Sequence, residues 1–410
     1  MQGIDSRQAA SVATVSLFAA LSGFLILIVA ARTLSAPDNA DFLAFWGALF
    51  AVYGVLNGVA AESTRAVGQR LMGPVETGSS GSTAANALVA GAVMACLIAG
   101  VSVPFSIGGS AQQWLIIIIL LVASLFVAVH AGLSGALQAM DQWHAYSKLL
   151  LLESGLRLAA VAAAAVLGLG LAGLETACLA ALLAWPVLVL FSPAARAGLG
   201  ARADVRPGAL LKRTGQACAS AAASAALVVS YPLLVKITTS AEEFSTAAPV
   251  LLAISLTRAP IMLPLVAFQG LAITAVMRAE EGRGFRALRR PLLAVLLMGS
   301  AGAVLAWWIG PRLMLFFGSD YRIEGWVLAA LTVATAGVAV LTLTGTALLA
   351  TGRHRAYTAG WVTASVLAFL ILLLPYSTEV RCVMSLLTGP MAGIAIHFRA
   401  LKSGRRGAAS

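Results

Sequence analysis

Charge is what this chain has least of. Only 10% of its 410 residues are Asp, Glu, Lys or Arg, and acids number only 16. A water-soluble domain carries about 25% charged residues. Too little polar material is present to cover a soluble surface, and no polar run is long enough to form a separate soluble domain. Cysteines are four (Cys96, Cys178, Cys218 and Cys382), with no CxxC pair. That spacing points to no metal centre and no disulfide framework, and small buried apolar side chains are the expected role. No catalytic constellation stands out, no cofactor motif is found, and an enzyme is not expected.

What the chain has is hydrophobic length. It is 60% hydrophobic, with mean hydropathy +0.93. Apolar runs of about 20 residues, enough to cross a ~30 Å hydrocarbon core, recur throughout. Twelve spans are read, near 11–31, 42–61, 85–105, 114–137, 145–167, 172–191, 215–235, 247–271, 292–309, 326–349, 356–374 and 383–398. They are too long for barrel strands, so each must be a helix that satisfies its own backbone. The first is longer than a signal-peptide core and lacks a convincing cleavage site, so it is read as a span.

Lys and Arg set the orientation. With the N-terminus in the cytoplasm, twenty of the 27 fall on the inner side and five on the outer side (Arg32, Lys236, Arg312, Arg322 and Arg381). Arg157 and Arg258 lie within spans. One miscounted helix in the middle would destroy the split, so it supports an even count with both termini inside. The net charge of +11 is then topology and attraction to anionic inner-leaflet lipid, not nucleic-acid binding.

The basic stretch 193–213 lies at the midpoint and reads as a cytoplasmic linker. It separates an N-terminal six-helix lobe, 1–192, from a C-terminal one, 214–402, with a cytoplasmic tail at 403–410. Thr33-Leu34-Ser35-Ala36 parallels Thr238-Thr239-Ser240-Ala241 at an offset of 205. Leu137-Gln138-Ala139 with Ala145-Tyr146 parallels Leu348-Leu349-Ala350 with Ala356-Tyr357, offset by 211 at the first residue. Two matches near one offset suggest a duplication; six being even, the repeats would be parallel. Chance similarity in Ala/Leu-rich sequence is the alternative.

Ionisable groups within spans are functional candidates, since each costs at least ~2.5–3.5 kcal/mol at a helix centre. Arg258 lies eleven residues into span eight, about 16 Å deep. No acid lies within one turn of it, and Pro260 and Pro264 follow. Such a cation suits an anionic group; the alternative is an arginine tied to carbonyls or to an acid on another helix. Glu153 and Arg157 stand at i, i+4 on span five, in the favourable order for a helix pair. They read as a self-neutralised pair or, with His130 on span four, as a proton-responsive site. Arg65, beside Glu62, reads as a snorkelling anchor or an entrance site for an anionic head group. Arg32 and Lys236, at the outer ends of spans one and seven, read as anchors or exit sites, and Gln269 completes the binding candidates. Pro232, Pro260 and Pro264 are the hinge candidates.

These features together resemble the polysaccharide-export branch of the multidrug/oligosaccharidyl-lipid/polysaccharide (MOP) flippase superfamily. The carriers are Ala31-Arg32-Thr33-Leu34 with Asp38 and Asp41, and Gly135-Ala136-Leu137-Gln138-Ala139 running into Arg157 and Gly168–Gly173. Ser255-Leu256-Thr257-Arg258-Ala259-Pro260 and Phe316-Phe317-Gly318-Ser319-Asp320-Tyr321 complete them. The resemblance implies an all-α integral membrane protein of about twelve helices in two MATE-like six-helix bundles, with a cavity lined by spans one, two, seven and eight. It implies alternating access, with a lipid-linked glycan as cargo, in the bacterial plasma membrane. Membrane lipids, and glycosyltransferases or polymerases of the same pathway, are the implied partners. Arg258 occupies the place of a span-eight arginine that binds diphosphate in the related lipid II flippases. Departures are the lack of a basic residue inside span one, and Ser230-Tyr231-Pro232 where many polysaccharide flippases carry an acid. The sequence also leaves open an ion-coupled exporter of drugs or small solutes, a glycosyltransferase using Asp38 or Asp41, and a scaffold of cell-wall assembly.

Overall fold

The computed structural model describes residues 6–73, 80–258, 260–261, 265 and 288–403. Almost all of them are helical. Helices α1 (Ser6–Thr33), α2 (Ala36–Met72), α3 (Thr83–Ser106), α4 (Ala111–Ala139), α5 (Trp143–Val166) and α6 (Gly170–Phe191) form the first six crossings. Short α7 (Pro193–Leu199) follows, then α8 (Pro207–Val228), α9 (Tyr231–Thr238), α10 (Ala241–Ser245) and α11 (Ala248–Arg258). The chain continues with α12 (Arg289–Trp308), α13 (Gly310–Leu315), α14 (Gly325–Ala350), α15 (His354–Leu372) and α16 (Thr378–Ser403). Among the described residues ten helices are long and apolar enough to cross a membrane, and α8 with α9 makes an eleventh that is bent by 68°. Helix α11 opens the remaining predicted span, whose continuation lies outside the described residues. The protein is a multi-pass membrane protein of helices.

Three predicted spans differ in detail. Span two was expected to end at 61, yet α2 runs 37 residues to Met72, about 55 Å at 1.5 Å per residue. Its inner turns carry Glu62, Arg65 and Arg70, and the partners of these side chains hold the extension. Span six is interrupted by a 3-10 stretch, Cys178–Leu183. Pro186 explains it: proline has no N–H for the carbonyl of Leu182 and its ring crowds the preceding turn. Span seven was expected to be continuous over 215–235, but it starts at Pro207 and breaks after Val228.

By its contacts the chain divides into two units, one of residues 1–34 and 45–225, the other of 35–44 and 226–410. In the first, α1 packs on α5 and α3 on α4. Leu133, Leu137, Ala145, Leu149, Ala184, Leu188 and Ala195 form one of its cores, joining α4, α5, α6 and α7. Leu88, Val89, Val93, Leu97 and Val101 of α3 stay exposed. Val89, Val93, Leu97 and Val101 repeat every four residues along one side, as a lipid-facing stripe does.

The basic stretch 193–213 is folded onto this unit. Ser192 caps α7, with Pro193 in its first turn. The Ala203 amide donates to the Gly81 carbonyl (2.8 Å), the Gly81 amide to Val205 (2.9 Å), and the Asp204 amide to Ala66 (3.2 Å). Ala66, Ala203, Val205 and Leu210 close a small apolar core beneath.

In the second unit α14 packs between α12 and α16, and α16 packs along α15. Small residues let these backbones approach, as in membrane helices where packing replaces the hydrophobic effect. A Cβ on Gly389 would stand 2.6 Å from the Ala364 carbonyl oxygen.

The same device in the first unit yields a test. A Cβ on Gly135 of α4 would run into the Ala60 carbonyl of α2, while nothing lies within 4 Å of one on Gly68. Gly135→Leu should lower stability by about 1–3 kcal/mol, the usual cost of overpacking. Gly68→Ala should be neutral or stabilising, by up to about 1 kcal/mol, from the better helix propensity of alanine. Thermal melts of both variants in detergent check the pair.

Candidate functional site

The break in span seven builds the first cluster. In a continuous helix the Val228 carbonyl would accept from the N–H of residue 232, four places on. That residue is Pro232, which has no N–H. Pro232 sits in the first turn of α9, where its ring is tolerated, and the chain bends before it. The two carbonyls left at the end of α8 are taken by Arg258. Its Nη1 donates to Val228 O at 2.5 Å and its Nη2 to Leu227 O at 3.4 Å. The guanidinium also lies 5.6 Å from the centroid of the Tyr231 ring, a cation–π distance. Tyr231 is fully buried, and its hydroxyl shares a hydrogen bond with Ser385 and reaches the Cys382 carbonyl at 3.4 Å. No carboxylate pairs with Arg258 among the described residues. Its charge is met by carbonyl dipoles at a helix C-terminus, where cations are favoured.

The second cluster is built on α2, α4 and α5. Arg157 pairs with Glu153 one turn away, and its Nη2 also donates to the Tyr53 hydroxyl at 2.9 Å. His130 Nε2 lies 3.4 Å from a Glu153 oxygen, but without hydrogen-bond geometry. The structure thus brings Glu153, Arg157 and His130 together. Sequence reasoning missed the aromatic wall beside them. Trp46, Phe50 and Tyr53 line one face of α2, their successive ring centroids 4.5 Å and 5.5 Å apart. The Arg157 guanidinium carbon lies 6.0, 5.1 and 5.2 Å from the three centroids. The i, i+4, i+7 spacing of three aromatics was the available signal.

At the inner end, Arg65 is held by two acids. It donates to both Glu62 oxygens (2.7–3.1 Å) and to both Asp204 oxygens (3.0 Å each). Arg213 lies 3.7 Å from Asp204. Asp204 is the only acid in 193–213, which could have marked it as a tether.

At the outer end, Lys236 donates to Asp41 at 2.7 Å, and Asn39 donates to the Tyr321 hydroxyl at 2.8 Å. Ser35 caps α2, its Oγ accepting from the Asp38 amide at 3.3 Å while its hydroxyl donates to the Asp38 carboxylate at 2.6 Å. Arg32 ends α1, exposed. Arg381 pairs with Glu243, which also accepts from Thr378. Pro260 follows Arg258 and is exposed; Gln269 and Pro264 lie outside the described residues.

No family model matches the chain. It is 36% identical to the uncharacterized protein Rv3630 of Mycobacterium tuberculosis, over 97% of this chain and 93% of that one. A second protein of that organism, the uncharacterized protein Rv1510, is 38% identical over 92% of this chain and 88% of its own. The chain belongs to their family. Its fold is that of MATE transporters of the MOP superfamily. An inward-facing multidrug resistance MATE transporter superposes with a TM-score of 0.70 at 11% identity, covering 94% of this chain and 96% of the other. A MOP superfamily transporter from Pyrococcus furiosus, described for the reverse polarity of its binding pocket, gives 0.66 at 13% identity, covering 97% and 96%.

Two outcomes follow from the ion pairs. Glu153→Gln leaves Arg157 buried without its counter-charge and should cost about 3–5 kcal/mol. The double variant Glu153→Gln, Arg157→Gln should cost less than the sum of the two singles, read from melting midpoints in detergent. Glu243 lies outside the spans, and hydrogen bonds from Thr378, then Arg381, hold its carboxyl below the ordinary range despite partial burial. A carboxyl depressed on folding adds stability that is complete above its unfolded value, ordinarily about 4.3. That stability is lost as pH falls through the folded value. Glu243→Gln should therefore lower stability modestly near neutral pH, the carboxylate being partly exposed, and the variant and wild-type profiles should converge as pH falls through the folded value.

Proposed function

We propose that this protein is a transporter of the bacterial plasma membrane, a flippase that carries a lipid-linked saccharide with an anionic head group from the inner to the outer leaflet. The observation that carries the reading is Arg258. It is a membrane-depth guanidinium whose only described partners are two backbone carbonyls and a tyrosine ring. Both kinds of partner are weak beside a phosphate oxygen, which forms shorter, charge-assisted, bidentate bonds to arginine. An incoming phosphate or diphosphate can take the guanidinium from the carbonyls of α8. A free carboxylate partner would compete with that exchange, and none is present among the described residues.

The lipid tail stays in the bilayer throughout, so only the head group needs a polar path. An inside-negative potential favours outward passage of an anion by about 2.3 kcal/mol per charge per 100 mV. A co-transported ion is then not required for direction. Arg65 and Lys236, each met by carboxylate, serve better as fastenings at the two ends than as receivers of the cargo. Pro232 is the hinge.

Ion-coupled export of a drug or small solute is the second reading. The intramembrane Glu153 with His130 beside it favours it, because such a pair can hold and release a proton.

Reconstituted proteoliposomes with a fluorescent polyprenyl-diphosphate sugar separate the two. Arg258→Ala should lower flipping at least about tenfold, with unchanged insertion and abundance, and Arg258→Lys should lower it less, keeping the charge but not the planar fork. Unchanged flipping in Arg258→Ala would sink the flippase reading. Uptake of an organic cation driven by a pH gradient, abolished by Glu153→Gln, would establish the second.

A further inference from the structure

We infer that the aromatic face of α2 is a carbohydrate-binding platform that takes the neutral sugar rings of the cargo, which rests on the reading above that the cargo bears sugar. Along α2 between Phe42 and Ala60 most positions are buried; Ala51 and Val55 on the far side are half-buried, and the larger group is Trp46, Phe50, Tyr53 and Gly54, half-buried, with Asn57 exposed. The residues of this group stand at i, i+4, i+7, i+8 and i+11, which is one face of the helix. An exposed asparagine in the middle of an apolar helix is costly against lipid, so this face meets a polar environment. Three half-exposed rings on a wet face of a membrane helix lack the ordinary explanation for exposed aromatics, which is contact with acyl chains.

Carbohydrates present the complementary surface. A pyranose has an apolar C–H face that stacks on an aromatic ring and a rim of hydroxyls that needs donors and acceptors. Both are offered here. The rings are in register, with centroids 4.5 Å and 5.5 Å apart. Beside them are the Tyr53 hydroxyl, the Glu153 carboxylate and the Asn57 amide. Hydrogen-bonding capacity is also left over. Arg157 is only 6% exposed, and among the described residues neither its Nε–H nor His130 Nε2, which lies 3.4 Å from Glu153, makes a hydrogen bond. A hydroxyl-bearing group satisfies such atoms; a hydrocarbon does not.

The charge pattern decides between sugar and the other common ligand of aromatic walls, an organic cation. Arg157 already lies within cation–π distance of all three rings. Arg157 fills the cation–π position and its charge is already met by Glu153, so what is unmet there is not charge but hydrogen bonding, which a neutral polyol supplies.

The test is binding by the full chain in phosphatidylcholine nanodiscs, measured by native mass spectrometry with two probes. One is a polyprenyl diphosphate; the other is the same lipid carrying N-acetylglucosamine. Trp46→Leu, Phe50→Leu and Asn57→Leu should each weaken the sugar-bearing probe by about three- to tenfold, the worth of one good stacking or hydrogen-bonding contact. The bare lipid should change less than about twofold, and Trp46→Phe should retain most of the sugar-dependent affinity, since a smaller ring still stacks. Arg258→Ala should weaken both probes alike. Equal loss of both probes in the α2 variants, or no loss of either, would overturn the platform while leaving the role of Arg258 standing. Wild type that binds neither probe would overturn both. Asn57→Leu removes an exposed group and tests the idea even where the tryptophan variant fails to fold. Ethidium that binds wild type and is lost on Trp46→Leu, without a sugar effect, would also overturn the assignment.

Discussion

A proline without an N–H and an arginine without an acid solve each other's problem in the second half of this chain. In hydrocarbon an unsatisfied backbone carbonyl costs several kcal/mol. A guanidinium at mid-membrane costs at least about 2.5–3.5 kcal/mol. Pro232 creates the first liability at Val228, and Arg258 is the second. Joined, each supplies what the other lacks. Tyr231 completes the arrangement: its ring backs the guanidinium, and its hydroxyl is tied to Ser385 and Cys382 of α16. The bend of span seven, the position of α11 and the availability of a polarised cation are therefore one feature.

The scarcity of acids makes the placement of each one informative. Sixteen carboxylates serve a chain with 27 fixed cations, and those discussed here act as fasteners. Asp204 fixes a basic loop to the inner turns of α2, Asp41 takes Lys236, Glu243 takes Arg381, and Glu153 neutralises Arg157. Arg258 stands out against this background because its neighbours are dipoles. Among the described residues Arg258 is thus held by carbonyl dipoles and an aromatic ring where Arg157, Lys236 and Arg381 are held by carboxylates.

Much of the fold was legible in the residues. The all-helical, multi-pass architecture followed from hydropathy, because a bilayer demands long apolar helices that satisfy their own backbone. The break at Pro232 could be read from the sequence, since a missing N–H is a property of the residue alone. The acceptor of Arg258 was not visible: its two carbonyls lie 30 and 31 residues away, and every residue has a carbonyl. The partner of Arg65, 139 residues distant, was hidden for the same reason. Asp204 looked like one acid in a basic loop, and the fold made it an anchor. The Trp46–Phe50–Tyr53 face had a readable period, but an aromatic stripe at helical spacing is as consistent with core as with a surface. Only the half-exposure of the rings and the position of Arg157 distinguish them.

The division of α2 between units has a consequence for the order of synthesis. The first unit is complete in sequence by Ala225, but it excludes Ser35–Ala44. Those ten residues open α2, and the partners of Asn39 and Asp41 are Tyr321 and Lys236. On a ribosome the first unit has all its residues long before Tyr321 is made. Lys236 is made soon after Ala225, so Asp41 has its partner early, whereas Asn39 waits for Tyr321. The opening turns of α2 therefore have their full set of folded-state contacts available only once most of the second half has been made.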